Sequence, residues 1–241
     1  VGIIYGALVS LVQSDIKKLV AYSSVSHLGF VVLGIFAMTE EALQGSLIQM
    51  ANHGLSTGAL FLIVGMVYDR RHTREITEFG GLSRRMPVFA TLFMIVMLSS
   101  LGLPGLNGFV GEFLILLGSF NSHFLGSSVY SIVAALGVIL AAVYLLRMYR
   151  GVMFGPLTKP ENQALKDLNA REIAVLIPIV LFIVWIGLYP STFLDKTSSS
   201  VQQLVVRMEK ARVGALSMGS RDIQQFLTTV KTEPTKTGDI E

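Results

Sequence analysis

SSLGLPGLNGFVGEFLILLGSF, residues 99–120, lies in an apolar run long enough to cross a bilayer, yet LGLPGLNG interrupts its middle and Glu112 follows four residues later. The whole run, 88–120, would be about 50 Å as one straight helix, against a hydrocarbon core of about 30 Å. That excess predicts a broken or strongly tilted element. Pro104 removes a backbone donor, and Gly102, Gly105, Gly108 and Gly111 loosen the chain around it. Backbone groups freed at membrane depth must be buried in protein or line a wet cavity. Interrupted helices at ion sites meet that condition.

Five spanning segments follow from the rest of the chain: 18–38, 42–68, 88–120, 127–154 and 172–190, with residues 1–13 as the end of a further helix. The composition agrees, with 52% hydrophobic residues, 15% charged residues and a mean hydropathy of +0.63. Soluble domains carry about 25% charged residues. The expected fold is therefore an all-α polytopic helix bundle in a membrane, with about five complete spans, a partial one, one discontinuous helix and a C-terminal amphipathic helix. Two regions are expected, a transmembrane part over 1–190 and an amphipathic helix with a polar tail over 191–241. In the second, Leu194, Val201, Leu204, Val205 and Met208 recur at helical spacing. The first residue, Val1, already lies in an apolar run, so the chain reads as a piece of a longer protein.

Lys17, Lys18, Arg70, Arg71, Arg74, Arg84, Arg85, Arg147, Arg150, Lys159, Lys166 and Arg171 all fall on alternate connections; the intervening ones, 38–43 and 121–128, carry no Lys or Arg. The positive-inside rule makes the first set cytoplasmic and places the C-terminal tail outside. With no Cys, disulfides, thiolate metal sites and cysteine nucleophiles are excluded. No nucleotide-binding glycine loop, nucleic-acid face or catalytic triad is present.

Polar residues inside the spans are the candidates for function, because an ionisable group in hydrocarbon is costly. Of the sixteen acidic residues only Glu112 lies well inside a span. A water-reached carboxylate there can take up and release protons; the blander alternative is a structural acid bonded to a neighbouring helix. His27 and His53 lie at similar depth. Residues three or four apart share a helix face, so Gln49, His53, Ser56 and Thr57 form one polar stripe, with Asn52 beside it. Histidine titrates near neutrality and can relay protons, or can simply bridge helices. Neither His has a second ligand at i, i+4, which argues against a metal site, and His72 and His123 fall in loops.

Four blocks, SDIKKLVAYSSVSHLGF (14–30), QMANHGLSTGALFLIVG (49–65), YDRRHTREITEFGGLSRRMP (68–87) and LGLPGLNGFVGEFLILLGSF (101–120), resemble the subunit M family of proton-pumping NADH:quinone oxidoreductase, equivalent to chain 4 of mitochondrial complex I. The resemblance covers residues 10–190. It implies the last six or so helices of a fourteen-helix antiporter-like subunit, with a hydrated axis of charged residues at the membrane midplane. Carried over, Glu112 is the acid of the broken twelfth helix, and His27 and His53 lie on the path to it. The break residues are Gly102, Pro104, Gly105 and Gly108.

The resemblance implies a subunit of an enzyme without an active site of its own. NADH, FMN, iron–sulfur clusters and quinone would be held by other subunits, leaving no cofactor or metal in this chain. The expected partners are neighbouring membrane-arm subunits, lipid, water and protons, and the expected location is a bacterial inner membrane. The family's earlier acid and two membrane lysines would precede Val1. Related L and N types more usually carry Lys where this chain has Glu112. A subunit of a multisubunit cation/proton antiporter, a membrane-bound hydrogenase subunit or a structural scaffold of the membrane arm are the alternatives.

Overall fold

The computed structural model describes the backbone of residues 1–232 and the side chains up to Gly214. The chain divides into two compact units, Val1–Ser199 and Ser200–Glu241. In the first unit, α1 (Gly2–Leu11), α2 (Ile16–Ala37), α3 (Glu40–Arg71), α4 (Pro87–Leu101), α5 (Asn107–Phe120), α6 (Val129–Met153), the short α7 (Pro160–Gln163) and α8 (Ala170–Leu188) follow one another, and α9 (Ser191–Thr232) begins there. The remainder of α9 belongs to the second unit. The polar tail expected at the C-terminus lies, from residue 233, outside the described residues.

Among the described residues four helices, α2, α3, α6 and α8, are long and apolar enough to cross a membrane. The 88–120 segment is broken, as its length requires. Its halves α4 and α5 have 15 and 14 residues, about 20 Å each, so neither spans a 30 Å core alone. Gly102 caps α4 with φ +81° and donates its N–H to the carbonyls of Leu98 and Ser99, a left-handed cap that glycine adopts without a Cβ clash. Gly105 repeats the left-handed backbone at φ +92°, and Asn107 opens α5.

Each boundary has a local cause. Asp15 caps α2 by accepting from the Lys18 N–H, and Thr39 caps α3 by accepting from the Ala42 N–H. Asn169 and Glu172 form a reciprocal capping box at the start of α8. Helix α3 runs three residues beyond the expected 68, because Asp69, Arg70 and Arg71 are polar without being helix breakers; His72 ends it in the left-handed conformation.

The connections fall at two ends, as the charge pattern anticipated. At the basic end, Asp15 and Glu75 form an isolated antiparallel bridge, and Arg74 pairs with Asp15 at 3.2 Å. The N–H of Gly81 donates to Phe154, and the side chain of Asn162 donates to Glu78. At the other end Ser122 Oγ donates to the Ala37 carbonyl at 2.5 Å. The main apolar core, with Phe89, Phe93, Tyr144, Leu145 and Met148, lies between α3, α4 and α6. Ile48, Val110 and Ile186 form a smaller cluster, against which Phe193 and Leu194 of the first turn of α9 pack.

Candidate proton site

The helix break places Glu112 in the second turn of α5, where α2 and α3 flank it. Glu112 is 4% exposed, and two helices supply partners for the same carboxylate oxygen, Oε1. His27 Nδ1 of α2 lies 2.7 Å away, and Gln49 Nε2 of α3 donates at 3.2 Å. On the far side of the imidazole, His27 Nε2 lies 3.2 Å from the hydroxyl of Tyr144 on α6, which is fully buried. A neutral His27 satisfies both neighbours by donating from Nδ1 to the carboxylate and accepting from Tyr144 at Nε2. An imidazolium would instead donate at both ends. The chain Tyr144–His27–Glu112 therefore accommodates a proton on the ring without moving a heavy atom.

His53 is half-buried and lies one turn along α3 from Gln49. Thr57 Oγ1 approaches its Nδ1 at 3.1 Å, within the stripe expected from spacing. The His27 and His53 rings lie 5.8 Å apart, centroid to centroid, and are tilted by 40°. Beside them is a cavity of about 10 Å³, lined by both rings, Gln49, Asn52 and Ser100 among others. That volume admits about one water centre. Three buried atoms of residues on its wall, Gln49 Oε1, Asn52 Oδ1 and Ser100 Oγ, have no hydrogen-bond partner among the described residues. Buried polar atoms are rarely left so, so this cavity has the polar lining that a bridging water needs.

The break is held by a polar cluster that spacing alone did not reveal. Asn107, fully buried, accepts at Oδ1 from Ser99 and, at 3.2 Å, from Ser56. Its carbonyl accepts from Asn52 Nδ2 at 2.7 Å, and its own amide donates to the Asn52 carbonyl at 3.4 Å. Thus Asn52 and Ser56, expected beside the proton path, fasten α3 to the start of α5. Gly108 is required by close approach, since a Cβ there would overlap the Ser99 carbonyl oxygen. Gly102 comes close to the site itself, where a Cβ would meet Glu112 Oε2 at 3.2 Å. Pro104 is exposed in the link.

The structure brings Glu112, His27, Gln49 and, across the small cavity, His53 into one constellation. Tyr144, Asn107, Ser99 and Ser100 are the members that sequence reasoning missed. His72 and His123 are exposed, away from it. Among the described residues no group of three or more His, Cys, Asp or Glu side chains is placed to hold a metal ion.

Comparison with known proteins places these features in context. Residues 1–141 match a family model described as NADH:quinone oxidoreductase/Mrp antiporter, TM. NADH-quinone oxidoreductase subunit M of Rickettsia felis is 47% identical over 207 residues, covering 86% of this chain and 41% of that protein. The chain thus spans about two fifths of the length of the curated relatives it matches. A chain of respiratory complex I from Thermus thermophilus with bound NADH superimposes with a TM-score of 0.76 at 35% identity, covering 85% of this chain and 43% of its own. A chain of the membrane-bound sulfane sulfur reductase, an archaeal respiratory membrane complex, does so with a TM-score of 0.74 at 26% identity, over 81% and 32%.

Proposed function

Because the chain belongs to the NADH:quinone oxidoreductase/Mrp antiporter transmembrane family, we propose that it forms part of a proton-translocating membrane-arm subunit of a respiratory NADH:quinone oxidoreductase. The observation that carries the reading is the buried Glu112–His27 contact at 2.7 Å beside a broken helix. The 47% identity to NADH-quinone oxidoreductase subunit M favours this complex over the sulfane sulfur reductase, whose likeness is 26%. Electron transfer takes place in other subunits, and NADH, FMN, iron–sulfur clusters and quinone reside there. The partners are neighbouring antiporter-like subunits, and the location is a bacterial inner membrane with the C-terminus on its outer side.

Protons reach His27 from His53. Their rings are too far apart for a direct hydrogen bond, and one water in the cavity between Asn52, Gln49 and Ser100 closes the gap. An imidazolium at His27 shares its proton with Glu112. Gln49 donates to the same carboxylate oxygen, so the acceptor keeps a second tie when the ring changes charge. Redox energy arrives as altered electrostatics: a positive charge brought near the pair repels the imidazolium, the carboxylate stays ionised, and the shared proton passes to water on the outer side.

The test is proton uptake per NADH oxidised in inside-out vesicles containing the assembled complex. Glu112→Gln keeps the shape but cannot ionise, and pumping should fall to a small fraction of wild type, whereas Glu112→Asp retains more. Wild-type pumping in the Gln variant would overturn the proposal. Strict dependence of transport on sodium would favour a cation/proton antiporter instead; pumping intact in His53→Ala and Glu112→Ala, with assembly blocked by deletions in the C-terminal tail, would favour a scaffold.

A further inference from the structure

At the basic end of α6 lies a cavity of about 770 Å³ that the proton site does not use. Arg147 and Arg150 line it together with Leu146, Gly151, Phe154, Gly155 and Ile76, and no carboxylate does. Arg147 is tethered, donating from Nη1 to the Leu11 carbonyl at the end of α1. The Arg150 guanidinium is exposed and makes no hydrogen bond or ion pair among the described residues. Gly151 and Gly155 put no side chain on the cavity wall, which leaves room beside the two guanidinium groups.

An apolar track leads into this cavity. Leu136, Ile139, Val143 and Leu146 are 52%, 62%, 47% and 48% exposed. Their steps of three and four residues put them on one face of α6, and Arg150 follows in the same register. From Leu136 to Arg150 the helix rises about 21 Å, roughly two thirds of a 30 Å hydrocarbon core. Two unneutralised guanidinium groups at polar depth, above a leaflet's length of exposed apolar side chain, match one chemistry. Guanidinium recognises phosphate through paired N–H donors, and the track fits an acyl chain.

We propose that Arg147 and Arg150 form a binding site for an anionic phospholipid of the leaflet on the basic side. Its phosphate lies between the two guanidinium groups and one acyl chain runs along Leu146, Val143, Ile139 and Leu136. The site is separate from Glu112 and does not rest on the proton reading. A free phosphate would satisfy the arginines but would leave the apolar track unused, so the lipid is the occupant.

The experiment uses the full-length subunit in its purified complex, delipidated and titrated with phosphatidylglycerol, with lipid retention read by native mass spectrometry. Phosphatidylglycerol should be held at this site in the wild type. Each arginine lost should weaken retention about fivefold, so Arg150→Gln falls about fivefold and Arg147→Gln/Arg150→Gln about twenty-five-fold. Phosphatidylcholine should bind less well than phosphatidylglycerol, and inorganic phosphate at equal concentration should not displace the lipid. Arg150→Gln loses no contact seen in the fold, so it serves even where the double variant does not assemble. Equal phosphatidylglycerol retention by wild type and Arg150→Gln, equal binding of the two lipids, or displacement by inorganic phosphate would each overturn the proposal.

Discussion

Tyr144 gives His27 its second partner, and losing its hydroxyl removes one end of the Tyr144–His27–Glu112 chain. Tyr144→Phe keeps the ring among its core neighbours and removes only the hydroxyl at 3.2 Å from His27 Nε2. The expected cost in stability is about 1 kcal/mol, the net worth of one such bond. Pumping should slow while NADH oxidation coupled to other subunits persists; a thermal-unfolding scan and a vesicle assay read the two effects separately. Glu112, His27 and His53 were legible in the sequence because ionisable side chains stand out in an apolar run. Tyr144 was not, since a tyrosine within a spanning helix looks like ordinary packing until a buried histidine is found against it. Arg70 was read only as a topology marker, although its guanidinium closes a bidentate pair with Glu172 at 2.6 Å. That pairing joins residues 102 positions apart, which no local pattern encodes.

At the scale of the elements, the break between α4 and α5 is a fixed joint. Gly108→Ala would drive a methyl group into the Ser99 carbonyl and force the start of α5 away from the end of α4. Overpacking of this kind costs about 1–3 kcal/mol. Because Glu112 lies one turn further along α5, its contacts with His27 and Gln49 should lengthen as well. The variant should therefore lose both thermal stability and pumping, while Gly54→Ala, where a Cβ meets nothing within 4 Å, should change stability little. The sequence pattern located the break within LGLPGLNG, at Gly102, Pro104, Gly105 and Gly108. In the fold Gly102 ends α4, while Asn107, Ser99 and Ser56 tie the two halves to α3. Asn107 was hidden because an Asn next to Gly reads first as a turn residue.

Across the first compact unit, the basic connections are bound into one layer. Arg70 at the end of α3 grips Glu172 of α8 and the carbonyls of Lys166 and Asp167, and Asp167 in turn accepts from the Val88 and Phe89 N–H groups of α4. Arg70→Ala leaves Glu172 without its ion-pair partner and frees the end of α3 from α8 and from the Lys166 and Asp167 carbonyls. The pair is partly exposed, with side chains 18% and 11% accessible, so the expected loss is about 2–3 kcal/mol, below that of a fully buried pair. In the same layer, the hydrogen bond and charge of Lys159 at 2.6 Å, with a smaller contribution from Arg71, hold the Glu78 carboxyl below its usual range. Its folded value lies under its unfolded one, so this contact contributes above the ordinary glutamate range and is lost as pH falls through the depressed value. Protection of the amides of residues 72–86, measured relative to their intrinsic exchange rate at each pH, should fall on acidification in the wild type. In Lys159→Met protection should already be lower at neutral pH and respond less to acid. Hydropathy and charge alternation made the order of spans and the two ends of the bundle legible. The ties within the basic layer were not, because they join side chains to backbone groups of distant loops.

The central claim is that a proton comes and goes at Glu112. Infrared difference spectroscopy on the assembled complex, resting against driven by NADH, reads carboxyl protonation directly, with Glu112→Gln as the reference. The account predicts a carboxyl band that changes on turnover in the wild type, shifts in Tyr144→Phe and is absent from Glu112→Gln. Identical difference spectra in the wild type and Glu112→Gln would contradict it and leave Glu112 as a group that joins helices.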